Sequence, residues 1–196
     1  MPQKLLITGF DPFGGEQINP AWEAVSRLPD RIGSWELEKL QVPTIFDRAA
    51  KETLQKAEAI QPRLILCIGQ AGGRKGITPE MVAINLRHAS IPDNAGNSPQ
   101  DLPIIIDGPA AYFANIPVRR IAKAIEQQGI CASVSYSAGA FVCNDLMYSV
   151  LHHTQNTATA AGFIHVPYLP QQAREGVPSM TLEDIVRGLT YAIEAI

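Results

Sequence analysis

At 196 residues the chain is within the size of one domain, and 46% hydrophobic against 18% charged residues describes a globular protein, not a disordered one. With 16 Lys and Arg against 19 Asp and Glu, the formal net charge of -3 removes any bulk electrostatic case for a nucleic-acid or membrane-surface partner. No apolar run approaches the ~20 residues of a bilayer span, and the first residues lead into a strand-like segment, not a signal-peptide core, so a soluble cytoplasmic protein is expected.

Apolar runs then alternate with helical patterns. Leu5-Leu6-Ile7 opens a strand ending at Thr8-Gly9-Phe10. The Gly/Pro-rich loop Asp11-Pro12-Phe13-Gly14-Gly15 follows, and Asn19-Pro20 starts a helix with Asn as N-cap and Pro in the first turn. Trp35 to Val42 reads as a strand and Phe46 to Ile60 as a helix rich in Ala, Glu and Lys. Arg63 to Gly69 is a short continuous apolar run, as a strand covered on both faces requires. From Gln70 to Pro103 the chain is loop-rich, which in a compact domain points to a built site. Pro117 opens a helix through Gln128 that Gly129 stops; Ala132 to Tyr136 reads as a strand and Phe141 to His152 as a helix. Ala161 to Val166 is a last strand, ended by Pro167. Leu182, Ile185, Val186, Leu189, Ile193 and Ile196 then mark one face of a terminal helix whose Thr181 and Asp184 form a capping-box-like start.

This alternation predicts an α/β fold with a mostly parallel sheet and helices on both sides. In such sheets functional residues gather at the carboxyl ends of strands, here after Ile7, Ile68 and Ile164. Gly69-Gln70-Ala71-Gly72-Gly73-Arg74 follows a strand but fits neither the dinucleotide fingerprint nor the Walker A spacing, so it reads as a tight turn and not as a phosphate cradle. The three cysteines are an odd number with no CxxC spacing, which suggests neither a disulfide framework nor a zinc site. Cys67 lies in an apolar run and reads as inert, and Cys131 has no polar neighbour in sequence. Cys143 stands at a strand–turn–helix junction, where unpaired amides and the helix dipole stabilise a thiolate; its alternative is a small core residue.

A cysteine nucleophile needs a base. His152 and His153, nine and ten residues further along the same helix, lie roughly 14–15 Å away and read as carbonyl caps. His88 belongs to the loop-rich region. His165 interrupts an apolar run at a strand's end, so its imidazole must be satisfied by something: a structural hydrogen bond, or a partnership with the cysteine. The group orienting its second nitrogen has five candidates that spacing cannot separate: Glu80, Asp93, Asp101, Asp107 and Asp145.

Thr8-Gly9-Phe10-Asp11-Pro12-Phe13-Gly14-Gly15, Asn19-Pro20, Gly69-Gln70-Ala71-Gly72-Gly73-Arg74, Ile77-Thr78-Pro79-Glu80, Ile91-Pro92-Asp93-Asn94, Ser137-Ala138-Gly139 with Val142-Cys143-Asn144, and His165-Val166-Pro167-Tyr168-Leu169-Pro170 together resemble the pyroglutamyl peptidase I family, in the same order from Leu5 to Gln172. The resemblance implies a three-layer α/β/α sandwich, one catalytic domain over residues 1–196, and an intracellular cysteine peptidase that removes N-terminal 5-oxoproline from peptides. It carries over Cys143 as nucleophile, His165 as general base and acid, and Glu80 as the residue orienting the imidazole. Substrate contacts carry over to Phe10, Phe13, Asn19, Gln70, Ala71, Phe141 and Val142. It further implies a homotetramer that uses neither metal nor organic cofactor. One position departs from the family pattern, which has Arg two residues before the Pro of the Pro-Asp-Asn turn; here it is Ser90, with Arg74 and Arg87 nearby in sequence. That departure motivates a second reading, a non-catalytic or weakly active module holding pyroglutamyl or cyclic amide ligands; a third is an amidase or acyl-transferring relative.

Overall fold

The computed structural model describes residues 3–196. In chain order the elements are β1 (Gln3–Phe10), α1 (Pro20–Arg27), β2 (Arg31–Ile32), β3 (Trp35–Val42), α2 (Arg48–Ile60), β4 (Leu64–Gln70), β5 (Thr78–Pro79), β6 (Val82–Ile84), β7 (Ala111–Phe113), α3 (Val118–Glu126), α4 (Val142–His153), β8 (Ala160–Val166) and α5 (Leu182–Glu194). The main sheet runs β2-β3-β1-β4-β8-β5. Its four inner strands are parallel, while β2 and β5 run antiparallel at the edges. A two-stranded antiparallel ribbon, β6 with β7, stands apart from it.

Side-chain alternation sorts the core into two layers. Leu64, Leu66 and Ile68 of β4, with Leu5, Ile7, Ile164 and Val166, pack against α1, α3 and α5. Ile65 and Cys67, with Leu6, Ala161 and Phe163, pack against α2 and α4. Every residue of β4 is buried because helices cover both faces of this central strand, which is why its sequence is a continuous apolar run instead of an alternating one. Each fully buried Leu or Ile contributes roughly 1.5–3 kcal/mol of transfer free energy.

Three expectations differ from what forms. The strand read at Ala132 to Tyr136 is reduced to isolated bridges, Ile77 to Ala132 and Glu80 to Ser135. The cause is Pro79. Ile77 N–H donates to Cys131, Ser133 to Ile77, Ser135 to Pro79 and Met81 to Ser135, but the rung that Pro79 would donate is missing for want of an N–H. Helix α2 starts at Arg48 and not at Phe46, because Asp47 is held at φ +60, outside the helical region. His152 caps no carbonyl: its Nδ1 pairs with the Tyr112 hydroxyl at 2.8 Å, and the Thr154 hydroxyl donates instead to Val150 and Leu151. The terminal helix behaves as its pattern predicts, with the Thr181 hydroxyl accepting from Asp184 N–H at 3.1 Å.

Candidate active site

Because β1, β4 and β8 are parallel, the loops after Phe10 and Gln70 and the end of β8 share one edge of the sheet. Alternation along β8 puts His165 on the same face as Phe163, the face covered by α4. Strand β5 runs back along β8, with Thr78 opposite His165, and Glu80 N–H donates to Phe163 C=O at 2.9 Å. Two residues beyond Thr78, Glu80 therefore points to that same face as a diagonal neighbour of His165. Its Oε1 lies 2.7 Å from His165 Nδ1.

The same oxygen accepts from Arg74 Nη1 at 2.6 Å, while Arg74 also donates to Thr78 Oγ1 and to Ser137 C=O. Glu80 is completely buried, and its Oε2 has no hydrogen-bond partner. Burial alone would raise the Glu80 carboxyl; the hydrogen bond and charge of His165, the Ser135 hydroxyl and Arg74 outweigh it and hold the group below its ordinary range. Burial pushes the His165 imidazole down and Arg74 adds to that, against the upward pull of Glu80. An ionised carboxylate only accepts, so the neutral ring carries its proton on Nδ1 and presents a lone pair at Nε2.

Cys143 occupies the second position of α4, whose start has no capping side chain, so first-turn amides are left for another acceptor. Gly69, on the α4 face of β4, pairs with His165 in the ladder. A methyl group added at Gly69 would meet Cys143 Sγ at 3.0 Å and Phe163 Cζ at 2.7 Å, so only glycine lets the sulfur settle onto the strand. The Phe163 ring in turn lies 4.7 Å, centroid to centroid, from the His165 ring. The sulfur, the imidazole and the Glu80 carboxylate thus share one face at one strand end. Burial, then the Glu80 carboxylate, push the Cys143 thiol up to about 12, against Arg74 and the Cys143 N–H. Burial thus works against the thiolate that the amides of the helix start favour.

The residues after Cys143 fix the helix start. Asn144 clamps the 84–86 segment, accepting from Ile84 N–H at 2.9 Å and donating to the carbonyls of Ile84 and Leu86. Asp145 accepts from Asp47 N–H and from Arg87 Nε. That accounts for one of the carboxylates sequence left open. Asp93 closes a turn through Ala95 and Asn97 N–H and accepts from Phe46 N–H. Asp101 faces His88 at 3.0 Å, and Asp107 sits exposed at φ +63.

Around this group the aromatic residues divide. Phe13 and Phe141 are half-buried with ring centroids 6.1 Å apart, and Phe141 meets Phe46 edge-on at 5.3 Å. Phe10 is 1% exposed and lies in the core, 6.4 Å from Phe163. Val142 is buried beside Cys143. Gln70 accepts from Gln172 Nε2 at 3.2 Å, and Ala71 N–H donates to Val166 C=O. Both ends of the Asn19 amide are occupied, Oδ1 by Ala21 N–H and Nδ2 by Asp11 C=O, so Asn19 shapes the Phe13 loop from behind. Asn94 ties that loop to the 91–97 turn through Asp11 Oδ1 and Pro12 C=O. Ser90 is exposed; of the two nearby arginines, Arg87 is engaged by Asp145 and Asp47 and Arg74 by Glu80. Sequence reasoning named Arg74 only as a motif residue near Ser90 and missed its pairing with Glu80, and it missed Gln172, which donates to Gln70.

Among the described residues no three His, Cys, Asp or Glu side chains converge as metal ligands, and no helix is long and apolar enough to cross a membrane. Residues 3–196 match the family model described as pyroglutamyl peptidase. A pyrrolidone-carboxylate peptidase of Levilactobacillus brevis is 53% identical over 197 residues, covering 98% of this chain and 97% of the relative. One from Enterococcus faecalis is 48% identical over 196 residues, covering 98% and 92%. The crystal structure of pyroglutamyl peptidase I from Bacillus amyloliquefaciens superposes with a TM-score of 0.96 at 45% identity, covering 100% of this chain and 95% of that one.

Proposed function

The chain belongs to the pyroglutamyl peptidase family, and from that premise we propose that it hydrolyses the amide bond after an N-terminal pyroglutamyl residue with Cys143 as nucleophile. The observation that carries this reading is the 2.7 Å pair of His165 and Glu80 on the face where Cys143 rests against Gly69. The Cys, His and Glu positions are all filled, which favours catalysis over a module that only holds a ligand.

The attack starts from the thiol and the neutral imidazole, since burial disfavours the charged form of each. As sulfur attacks the pyroglutamyl carbonyl carbon, its proton passes to His165 Nε2. The imidazolium so formed is stabilised through Nδ1 by the Glu80 carboxylate. The carbonyl oxygen becomes an oxyanion within reach of the uncapped first-turn amides of α4. On collapse the carbon–nitrogen bond breaks, His165 returns its proton to the departing amine, and a thioester remains on Cys143. His165 then takes a proton from water, whose oxygen attacks the thioester; the carbon–sulfur bond breaks, the sulfur recovers that proton from His165, and pyroglutamate is released.

A lactam ring is flat and small, with one N–H, one C=O and no charged amine. Phe13 and Phe141 wall such a slot, Phe10 and Val142 lie beneath it, and Gln70 and Ala71 lie at its edge. Proline lacks the lactam carbonyl, so it leaves a buried donor unpaired and brings a charge into an apolar slot. The reading extends to one catalytic domain acting in the cytoplasm as a homotetramer. Three free cysteines suit a reducing compartment, and Ile106 and Phe113, 79% and 72% exposed, suit an assembly surface.

The test is hydrolysis of a fluorogenic pyroglutamyl amide against the matching prolyl amide in reducing buffer. Turnover of the first alone, lost in Cys143→Ala and kept in Cys131→Ala, is the expected result. No turnover by the wild-type chain, or turnover that survives Cys143→Ala, overturns the proposal.

A further inference from the structure

Arg74 contacts three acceptors on two separate stretches of chain. From the loop after β4 its guanidinium reaches the β5 edge at Thr78 and Glu80, and the Ser137 carbonyl in the turn that leads into α4. The oxygen it holds on Glu80 is the one that holds His165. Glu80 is 0% exposed with an unpartnered second oxygen, so its charge has one cation beside it, and that cation is Arg74, whose side chain is 28% exposed. A buried carboxylate left facing only a neutral imidazole draws a proton onto that imidazole.

We propose that Arg74 is a positioning residue of this site, locking the Glu80 carboxylate beneath His165 and joining both to the segment that delivers Cys143. The inference rests on the peptidase reading of those three residues and adds a fourth that acts through them. The planar fork suits this arrangement, because its two terminal nitrogens reach separate segments, Nη1 the β5 edge and Nη2 the Ser137 carbonyl, whereas an ammonium gathers its donors on one nitrogen. The charged or titratable groups around the imidazole and the sulfur are Glu80 from the β5 edge, Arg74 from the loop after β4 and, beside Cys143 of α4, Cys67 from β4. Of these, Arg74 is the one that keeps a proton off His165 by repulsion while also drawing Cys143 down. Its loss raises both groups, so the acid limb of activity moves to higher pH whether catalysis starts from neutral groups or from a thiolate–imidazolium pair.

The experiment compares wild type, Arg74→Met and Arg74→Lys by pH profiles of kcat/KM on the pyroglutamyl amide. The same three are compared, in a Cys131→Ala background, by pH profiles of Cys143 alkylation with iodoacetamide. Arg74→Met is expected to lower kcat on the order of 10–100-fold with KM little changed, and to move the acid limb and the alkylation profile upward. Arg74→Lys is expected to restore the acid limb but only part of kcat. An Arg74→Met acid limb that coincides with wild type overturns the inference, whatever the loss of rate. Should Arg74→Met not accumulate as folded protein, Arg74→Lys decides alone: full wild-type kcat refutes the role, and a reduced kcat on an unmoved acid limb supports it. If wild type fails to cleave the amide, the peptidase reading falls, and the alkylation profiles still test Arg74.

Discussion

Replacing Gly69 by alanine tests whether the end of β4 is a seat for the catalytic sulfur. The added Cβ would stand 2.7 Å from Phe163 Cζ and 3.0 Å from Cys143 Sγ. To regain a 3.4 Å contact, the ring must retreat by about 0.7 Å and the sulfur by about 0.4 Å. Phe163 is fully buried against Phe10 and His165 and has nowhere open to go. Overpacking of this kind costs about 1–3 kcal/mol, which for a chain of this size lowers Tm by ~2–12 °C. A displacement of several tenths of an ångström between nucleophile and base lowers kcat on the order of tenfold, given that 1 Å is worth about 100-fold. Thermal melts and turnover of a pyroglutamyl amide read the two effects separately. Wild-type Tm together with wild-type kcat in Gly69→Ala would show that the sulfur does not rest on this strand, and the account of the site would fall with it.

Asn19→Ala removes a helix cap and the tie to Asp11 C=O, so it is expected to cost ~1 kcal/mol and to raise KM by loosening the Phe13 loop, with kcat nearly unchanged; a kcat loss at constant KM would place Asn19 in the chemistry instead. Stability should also change with pH on both sides. Burial and Arg74 lower His165 from its ordinary 6.5, so the unfolded chain binds the extra proton and stability falls as pH drops below about 6.5. Glu80, also lowered, adds a further loss below its ordinary 4.5. Cys67 and Cys143, both raised by burial from 9.0 to about 12, are released more readily by the unfolded chain, so stability falls again as pH rises from 9 toward 12. Urea midpoints measured across pH check this; His165→Asn should flatten the limb just below 6.5, and an unchanged slope there would refute the assignment.

Much of the frame was legible because it depends on local pattern. The unbroken apolar run of β4 announces a strand covered on both faces, and the spacing from Leu182 onward announces an amphipathic helix. A cysteine after Ser-Ala-Gly at a helix start, and one histidine breaking an apolar strand, narrowed the chemistry to Cys143 and His165 before any contact was visible. The family motifs added Glu80, which spacing had left among five carboxylates.

What local pattern could not reach is pairing between distant segments. Glu80 and His165 are 85 residues apart in sequence, and their meeting follows from β5 running antiparallel along β8 at the sheet edge. The broken ladder outside β5 likewise depends on which neighbour Pro79 meets. Asn19 reads as a binding residue until Asp11 and Ala21 are seen to occupy it, and Arg74 reads as a turn residue until it is seen on Glu80. Residue order by itself determined the α/β frame and the helix faces and pointed to the candidate side chains, because periodicity and turn chemistry act over a few residues. Tertiary structure alone decided how Glu80 reaches the imidazole across the sheet edge and how burial bears on the protons, because strand order and desolvation depend on the whole sheet at once.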